Sequence, residues 1–201
     1  MSESAYDRAL GIKTIGVRDW QDPSVAYHRY EATPYRALDE LFRHYELREP
    51  DQVVDFGCGR GRVAFYVHNR FRIPVTGIEA NPLTYEEALQ NKQRYKQRAK
   101  HIKAPIRFVQ GLAEHYQVEP TDNHFYFFNP FPATVFQQVV NNILQSVAEN
   151  PRPVTVILYY PMPHYTRILE ENTPFALKAE IKVAKVHDAL EKFLIYSTKG
   201  G

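Results

Sequence analysis

The sequence predicts an α/β fold: a seven-stranded, mostly parallel sheet with helices on both faces and an antiparallel hairpin at its C-terminal end. Three observations predict it. Short apolar runs alternate with longer amphipathic segments from about residue 50 to 160, the order that right-handed crossovers turn into a parallel sheet. The first run leads through a loop with glycines at 57, 59 and 61 into an amphipathic stretch, as at a strand-to-helix turn. Two β-rich stretches close the chain, "FALKAEIKVAK" and "KFLIYST", and read as an edge hairpin with a short turn.

Residues 1–22 are weakly patterned. From Thr33 a helix is expected, with Thr33 as N-cap, Pro34 at the first helical position and Leu38, Leu41, Phe42 and Tyr45 on one face, ending near Glu49-Pro50. A strand at 52–56 precedes the glycine loop, and a helix over about 61–70 and a strand through "VTGIEA" follow it. The segment 82–101 reads as a long helix opened by Pro82, followed by the strand "IRFV" at 106–109. "HFYFF" is the next strand, stopped by Asn129-Pro130. From Pro132, Val135, Val139, Val140, Ile143, Leu144 and Val147 recur at helical spacing until Asn150-Pro151. "VTVILYY" at 154–160 gives the fifth strand, and a short helix near 164–171 precedes the terminal pair.

The 201 residues can bury one substantial core, and 44% hydrophobic with 24% charged residues is ordinary globular composition. With 25 Lys and Arg against 23 Asp and Glu, the formal charge of +2 gives no general attraction to nucleic acid. The one cysteine, Cys58, excludes an intramolecular disulfide and a cysteine-based zinc site, and no metal is expected. The opening "MSESAYDRAL" lacks signal-peptide character, and no run of about 18 apolar residues occurs, so a cytoplasmic protein without membrane contact is expected.

The glycine loop lies where open α/β sheets bind ligands, beyond the C-terminal end of the first strand. A dinucleotide fingerprint requires a third glycine at position 62, which is Arg62, and a phosphate-binding loop requires Gly-Lys-Ser/Thr, which is missing. The spacing is G-x-G-x-G. "VVDFGCGRG" at 53–61 and "TGIEANP" at 76–82 resemble the first two motifs of class I (Rossmann-like) S-adenosylmethionine (SAM) dependent methyltransferases. The resemblance implies that fold, SAM as cofactor, and an enzyme that transfers methyl groups. It covers about residues 30–160 and implies one methyltransferase domain over 1–201: an N-terminal helical extension (1–50), a SAM-binding core (51–160) and a C-terminal segment (161–201).

By the same resemblance Glu79, followed by Ala80, takes the ribose hydroxyls, a task suited to a carboxylate because it accepts two hydrogen bonds at once. Asp55 holds the loop or reaches the methionine ammonium, and Gly57, Cys58, Gly59 and Gly61 pass against the cofactor. The third motif departs from the pattern: "QGLAEHY" has Leu112 where relatives carry an acid, which leaves Leu112 to pack on the adenine and the Ala113 backbone to meet the ring edge. "FFNPFP" at 127–132 resembles the Asn-Pro-Pro-aromatic motif of amino methyltransferases, with Asn129 and Pro130 in place and Phe131 where the second proline belongs. A nitrogen acceptor on a small molecule or a protein side chain is therefore expected, with Asn129, Pro130 and Phe131 at the reacting centre; the alternative for Asn129 is contact with the cofactor.

"YEATPY" at 30–35 is similar to the stretch that closes over the cofactor in several families of this fold, which makes Tyr30 and Thr33 cofactor-contact candidates. Tyr27, His28 and Tyr35 surround it, and His164 after the fifth strand faces the same side. The alternative for these aromatics is packing of the N-terminal helix. "NKQRYKQRAKHIK" at 91–103 is either a solvated helix face or a patch for RNA or DNA. Two rival functions follow: a nucleic-acid base methyltransferase using this helix, or a SAM-binding protein without catalysis. The acceptor and the oligomeric state stay open.

Overall fold

The computed structural model describes residues 1–19 and 27–198. In chain order the elements are α1 (Glu3–Leu10), α2 (Tyr35–His44), β1 (Val53–Phe56), α3 (Arg62–Phe71), β2 (Val75–Glu79), α4 (Pro82–Arg98), β3 (Ile106–Gln110), β4 (His124–Phe127), α5 (Ala133–Glu149), β5 (Thr155–Tyr159), α6 (Pro163–Asn172), β6 (Phe175–Lys182) and β7 (Lys192–Thr198). The seven strands form one sheet in the order β3-β2-β1-β4-β5-β7-β6. The first five are mutually parallel, and β7 runs antiparallel to both β5 and β6.

Successive strand residues point to opposite faces, and here each face has its own core. Val53, Val75, Tyr126 and Ile157 join one cluster with Leu38 and Leu41 of α2, Val63 and Val67 of α3, and Ala88 of α4. Val54, Phe125, Phe127 and Val156 join the other with Phe136, Val140 and Ile143 of α5 and Leu169 of α6. Central strands covered on both sides carry continuous apolar runs, and β1, β4 and β5 are buried at every position. The chain therefore reverses direction in the sheet between β1 and β4, with α3 and α5 on opposite faces. Such a reversal opens a crevice at the C-terminal strand ends.

The structure departs from the sequence reading at several edges. Residues 3–10 form a helix, bracketed by Ser2, whose side chain caps Ala5 N–H, and by left-handed Gly11. Thr33 does not cap α2: its hydroxyl is hydrogen-bonded at 2.9 Å to Tyr126 OH, and Glu3 Oε1 accepts from Tyr35 N–H at 3.0 Å instead. The α2 helix ends at His44, short of Pro50, because Tyr45 takes an extended conformation and its hydroxyl meets His124 at 2.8 Å. The α4 helix ends at Arg98, whose guanidinium turns to the Arg8 and Ala9 carbonyls. The connection between β6 and β7 is no short turn but the loop 183–191.

Candidate active site

The loop after β1 is held by its neighbours. Gly57 and Cys58 N–H both donate to the Ile78 carbonyl at 3.0 and 2.9 Å, and Gly61 N–H donates to Cys58 O at 2.8 Å, just before α3. Gly57 and Gly59 have φ of 73° and 56°, left-handed values that glycine adopts at little cost. A Cβ would lie 2.4 Å from Pro130 Cβ at position 57 and 2.1 Å from the Tyr30 ring at position 59. The bare backbone thus serves close packing against Pro130 and Tyr30. The Cys58 side chain turns inward, where its Sγ would lie 2.7 Å from a Cβ on Gly77.

Two carboxylates lie at the strand ends. Glu79, 7% exposed, accepts hydrogen bonds from Gly59 N–H and Asn81 N–H, each at 2.8 Å. Burial raises its pKa, while the Asn81, Gly59 and Ala80 peptide groups lower it. Asp55 is 3% exposed, and its Oδ2 has no hydrogen-bond partner. Burial, and secondarily the negative charge of Glu79, push its pKa up to about 8. An unpaired buried acceptor of this kind costs about 1–3 kcal/mol, so the position is built for a donor or cation.

Residues 27–31 close over this loop. Tyr30 pairs with Arg18 by two backbone hydrogen bonds of 2.9 and 3.2 Å, and its hydroxyl donates to Thr14 O at 2.6 Å. His28 N–H donates to Pro130 O at 2.9 Å, and its Nδ1 lies 2.8 Å from Asn129 O. Tyr27 OH accepts from Ala113 N–H at 2.7 Å and donates to Glu114 Oε2 at 2.6 Å. Between these residues, Gly57 and Glu79 the pocket retains only about 40 Å³. Leu112 is 39% exposed and does not line this pocket. Thr33 lines a small cavity with Tyr30, Asp55 and Gly57, its hydroxyl hydrogen-bonded to Tyr126, whereas Tyr35 stacks on Tyr6 at 4.4 Å between ring centroids.

Beyond β4 the chain turns at Asn129, a non-glycine residue with φ of 40°. Its Oδ1 is buried and has no partner. Asn129 is also in the wall of a second, larger cleft of about 520 Å³, shared with His28, Phe128, Tyr159, Asp188 and Glu191. Pro130 faces Gly57, whereas Phe131 is fully buried between Tyr27 and Phe127, with ring centroids at 5.4 and 6.1 Å. Phe131 therefore belongs to the core and presents no surface to the cleft. His164 Nε2 is buried without a partner as well, and burial with nearby His28 lowers its pKa.

Sequence reasoning named Tyr27 without its partner and missed the roles of Arg62, Asp188 and Glu191. Tyr27 takes the Ala113 N–H through a contact 86 residues apart, which no local pattern announces. Arg62, named only as a missing glycine, is 4% exposed; it donates to Thr14 Oγ1 at 2.7 Å and to Thr33 O at 3.1 Å, pairs with Glu3, and lies 4.4 Å over the Tyr35 ring. A lone arginine opening an apolar helix was the available signal. Asp188 and Glu191 come from the β6–β7 loop, which has no periodicity to read. In the basic helix, Arg94 donates to Asn91 at 2.6 Å and Arg98 to the end of α1, so both bind their own chain.

Known proteins share this fold. Residues 54–148, from β1 into α5, match the family model described as a methyltransferase domain. No curated protein sequence matches the chain. Among solved structures, an RNA methyltransferase from Salinibacter ruber in complex with S-adenosyl-L-homocysteine is 16% identical, with a TM-score of 0.54 over 84% of this chain and 92% of that one. A TehB-like SAM-dependent methyltransferase from Corynebacterium glutamicum is 16% identical (TM-score 0.52; 82% and 86% covered). A precorrin-6y C5,15-methyltransferase from Geobacter metallireducens is 13% identical (TM-score 0.58; 82% and 86% covered). At these identities the likeness is one of fold. Residues 54–148 match a methyltransferase domain, and the strand order and the glycine loop with its two acids are those of the class I, Rossmann-like SAM-dependent methyltransferase fold.

Proposed function

We propose that this enzyme methylates a nitrogen of a small molecule or protein side chain, and that Asn129 receives that nitrogen. The observation that carries the reading is the buried, unpartnered Asn129 Oδ1 at the end of β4, in a left-handed backbone conformation. Strained conformations persist at functional positions when the surroundings enforce them. A carbonyl oxygen without a donor there suits an acceptor N–H.

The residues fit SAM. Glu79 would hold the ribose and Asp55 the cationic methionine end, whose charge supplies the donor missing at Oδ2. Leu112 and the Ala113 N–H would meet the adenine. Tyr27 and Tyr30 now lie along this path, so these rings must shift for the cofactor to enter. When bound, SAM supplies an electrophilic methyl carbon on a sulfonium. The chain's share is to orient the acceptor through Asn129 and Pro130 and to keep the reacting centre dry, since positioning and water exclusion supply most of the catalysis in such a displacement.

Replacement of Asn129 by Ala tests this. With a cell extract as acceptor source and methyl-labelled SAM, the variant is expected to lose roughly 100-fold or more in turnover while SAM affinity changes little, as for removal of a group used in the transition state. Undiminished turnover would refute the role of Asn129. A nucleic-acid acceptor is the second reading, favoured by Lys92, Lys96 and Lys103 around α4 and by the RNA methyltransferase among the structural neighbours; it predicts RNA binding that weakens steeply with salt. SAM binding without turnover on any extract would identify a binding protein instead.

A further inference from the structure

We propose that the cleft over the C-terminal ends of β4 and β5 holds the methyl acceptor, and that this acceptor is a small amine that arrives as a cation. The proposal rests on the methyltransferase reading of the same site and adds the charge and class of its substrate.

The cleft has an aromatic corner and an acidic rim. Phe128 lies 4.7 Å from the Tyr159 ring and 6.4 Å from the Tyr160 ring, and the two tyrosines are 6.5 Å apart. Around this corner stand Glu31, Asp188 and Glu191. Tyr160 OH donates to Asp188 Oδ2 at 2.7 Å, Leu190 N–H donates to its Oδ1 at 2.8 Å, and Tyr159 OH donates to Glu191 Oε2. These contacts fix both carboxylates yet leave lone pairs on each, because a carboxylate accepts about four hydrogen bonds.

The cations nearby do not cancel them. Arg29 meets Glu31 at 3.3 Å with its side chain 61% exposed, and Arg36 meets Glu191 at 3.7 Å with its side chain 59% exposed. Exposed pairs of that kind are weak. Rings beside carboxylates attract an ammonium through the ring face and through charge together, and they repel an anion. The volume of about 520 Å³ lies in the ordinary range for small-molecule sites.

Position supplies the link to chemistry. Asn129, whose buried Oδ1 has no partner, lines the cleft and follows the strand paired with β1 before the glycine loop. An ammonium held at the rim loses one proton to water. The neutral nitrogen then forms a bond to the methyl carbon as the methyl–sulfur bond breaks, so the sulfonium becomes a thioether and the product is a methylated ammonium. One proton leaves per methyl group transferred. The acidic rim offsets the repulsion between an incoming cation and the sulfonium.

Three probes of one size and different charge test the proposal: phenethylamine, phenethyl alcohol and phenylpropionate, titrated by NMR at low salt, with SAM titrated in parallel. The amine is expected to bind about tenfold tighter than the other two. The double variant Asp188→Asn/Glu191→Gln, with its fold verified by melting temperature and SAM affinity, is expected to lose about fivefold for the amine and nothing for the alcohol. Equal binding of amine and alcohol, no binding of any probe, or an unaffected double variant would overturn the proposal while SAM binding stands. Preferential methylation of a lysine peptide over all small amines would overturn its small-molecule part. Failure of SAM to bind the wild-type protein would instead overturn the cofactor reading.

Discussion

Asp55 and Glu79 do different work at the ends of adjacent strands. Glu79 already accepts two peptide N–H groups at 2.8 Å, whereas Asp55 Oδ2 accepts none. The Asp55 pKa of about 8 lies above its unfolded value. The folded state therefore favours the protonated form, and stability attributable to Asp55 is complete below the unfolded pKa and declines as pH rises toward 8. Asp55→Asn is expected to raise the melting temperature by several degrees near pH 8 and hardly at all near pH 4, measured by calorimetry. The same residue gives a binding signature. A cation beside Asp55 lowers its pKa, so SAM binding near pH 7 is expected to release up to one proton, read from calorimetric heats in buffers of different ionisation enthalpy. Heats independent of buffer would show that Asp55 does not receive the cation.

At the scale of elements, the N-terminal segment is a strap. Arg62 ties Glu3, Thr14 and Thr33 together at the start of α3, and Arg98 binds the end of α1. Removing a buried charged hub leaves its partners unsatisfied, so Arg62→Ala is expected to cost about 2–4 kcal/mol and to expose residues 1–18 to proteolysis before the sheet unfolds. Tyr27 supplies a second test. Its hydroxyl takes the Ala113 N–H that the adenine edge would use. One net hydrogen bond of about 1 kcal/mol corresponds to roughly fivefold, so Tyr27→Phe is expected to bind SAM about fivefold more tightly; weaker binding would show that the hydroxyl assists the cofactor.

For the whole molecule, legibility followed the range of the interactions. The five parallel strands and the helices between them could be read because strand burial on both faces imposes apolar runs, and Pro82 and Pro132 mark helix starts. The positions of the glycine loop, Asp55, Glu79 and Asn129 at strand ends were legible because turn and strand-end chemistry is local. Thr33 was misread because Tyr126, on a strand far away in sequence, takes its hydroxyl. The α1 helix escaped notice since eight residues give few turns of periodicity. Asp188, Glu191 and Tyr27 act across the fold, and nothing beside them in the sequence announces their partners.

The methyltransferase core is continuous with the terminal strands through β5 and β7, so one cooperative transition is expected. SAM at about 100 times its dissociation constant should stabilise it by about 2.7 kcal/mol, a rise of roughly 5–10 °C for a chain of this size. Two separate transitions, with only one responding to SAM, would divide the chain into independent units.

We infer that the loop after β1 and the acid ending β2 form a SAM site. Calorimetric titration of SAM into the wild-type protein and into Glu79→Ala, with folding verified by circular dichroism, tests it most directly. Saturable binding by the wild type and at least tenfold weaker binding by the variant are expected, because a charged hydrogen-bonding group is removed. Absence of binding, or an affinity unchanged by Glu79→Ala, would contradict it.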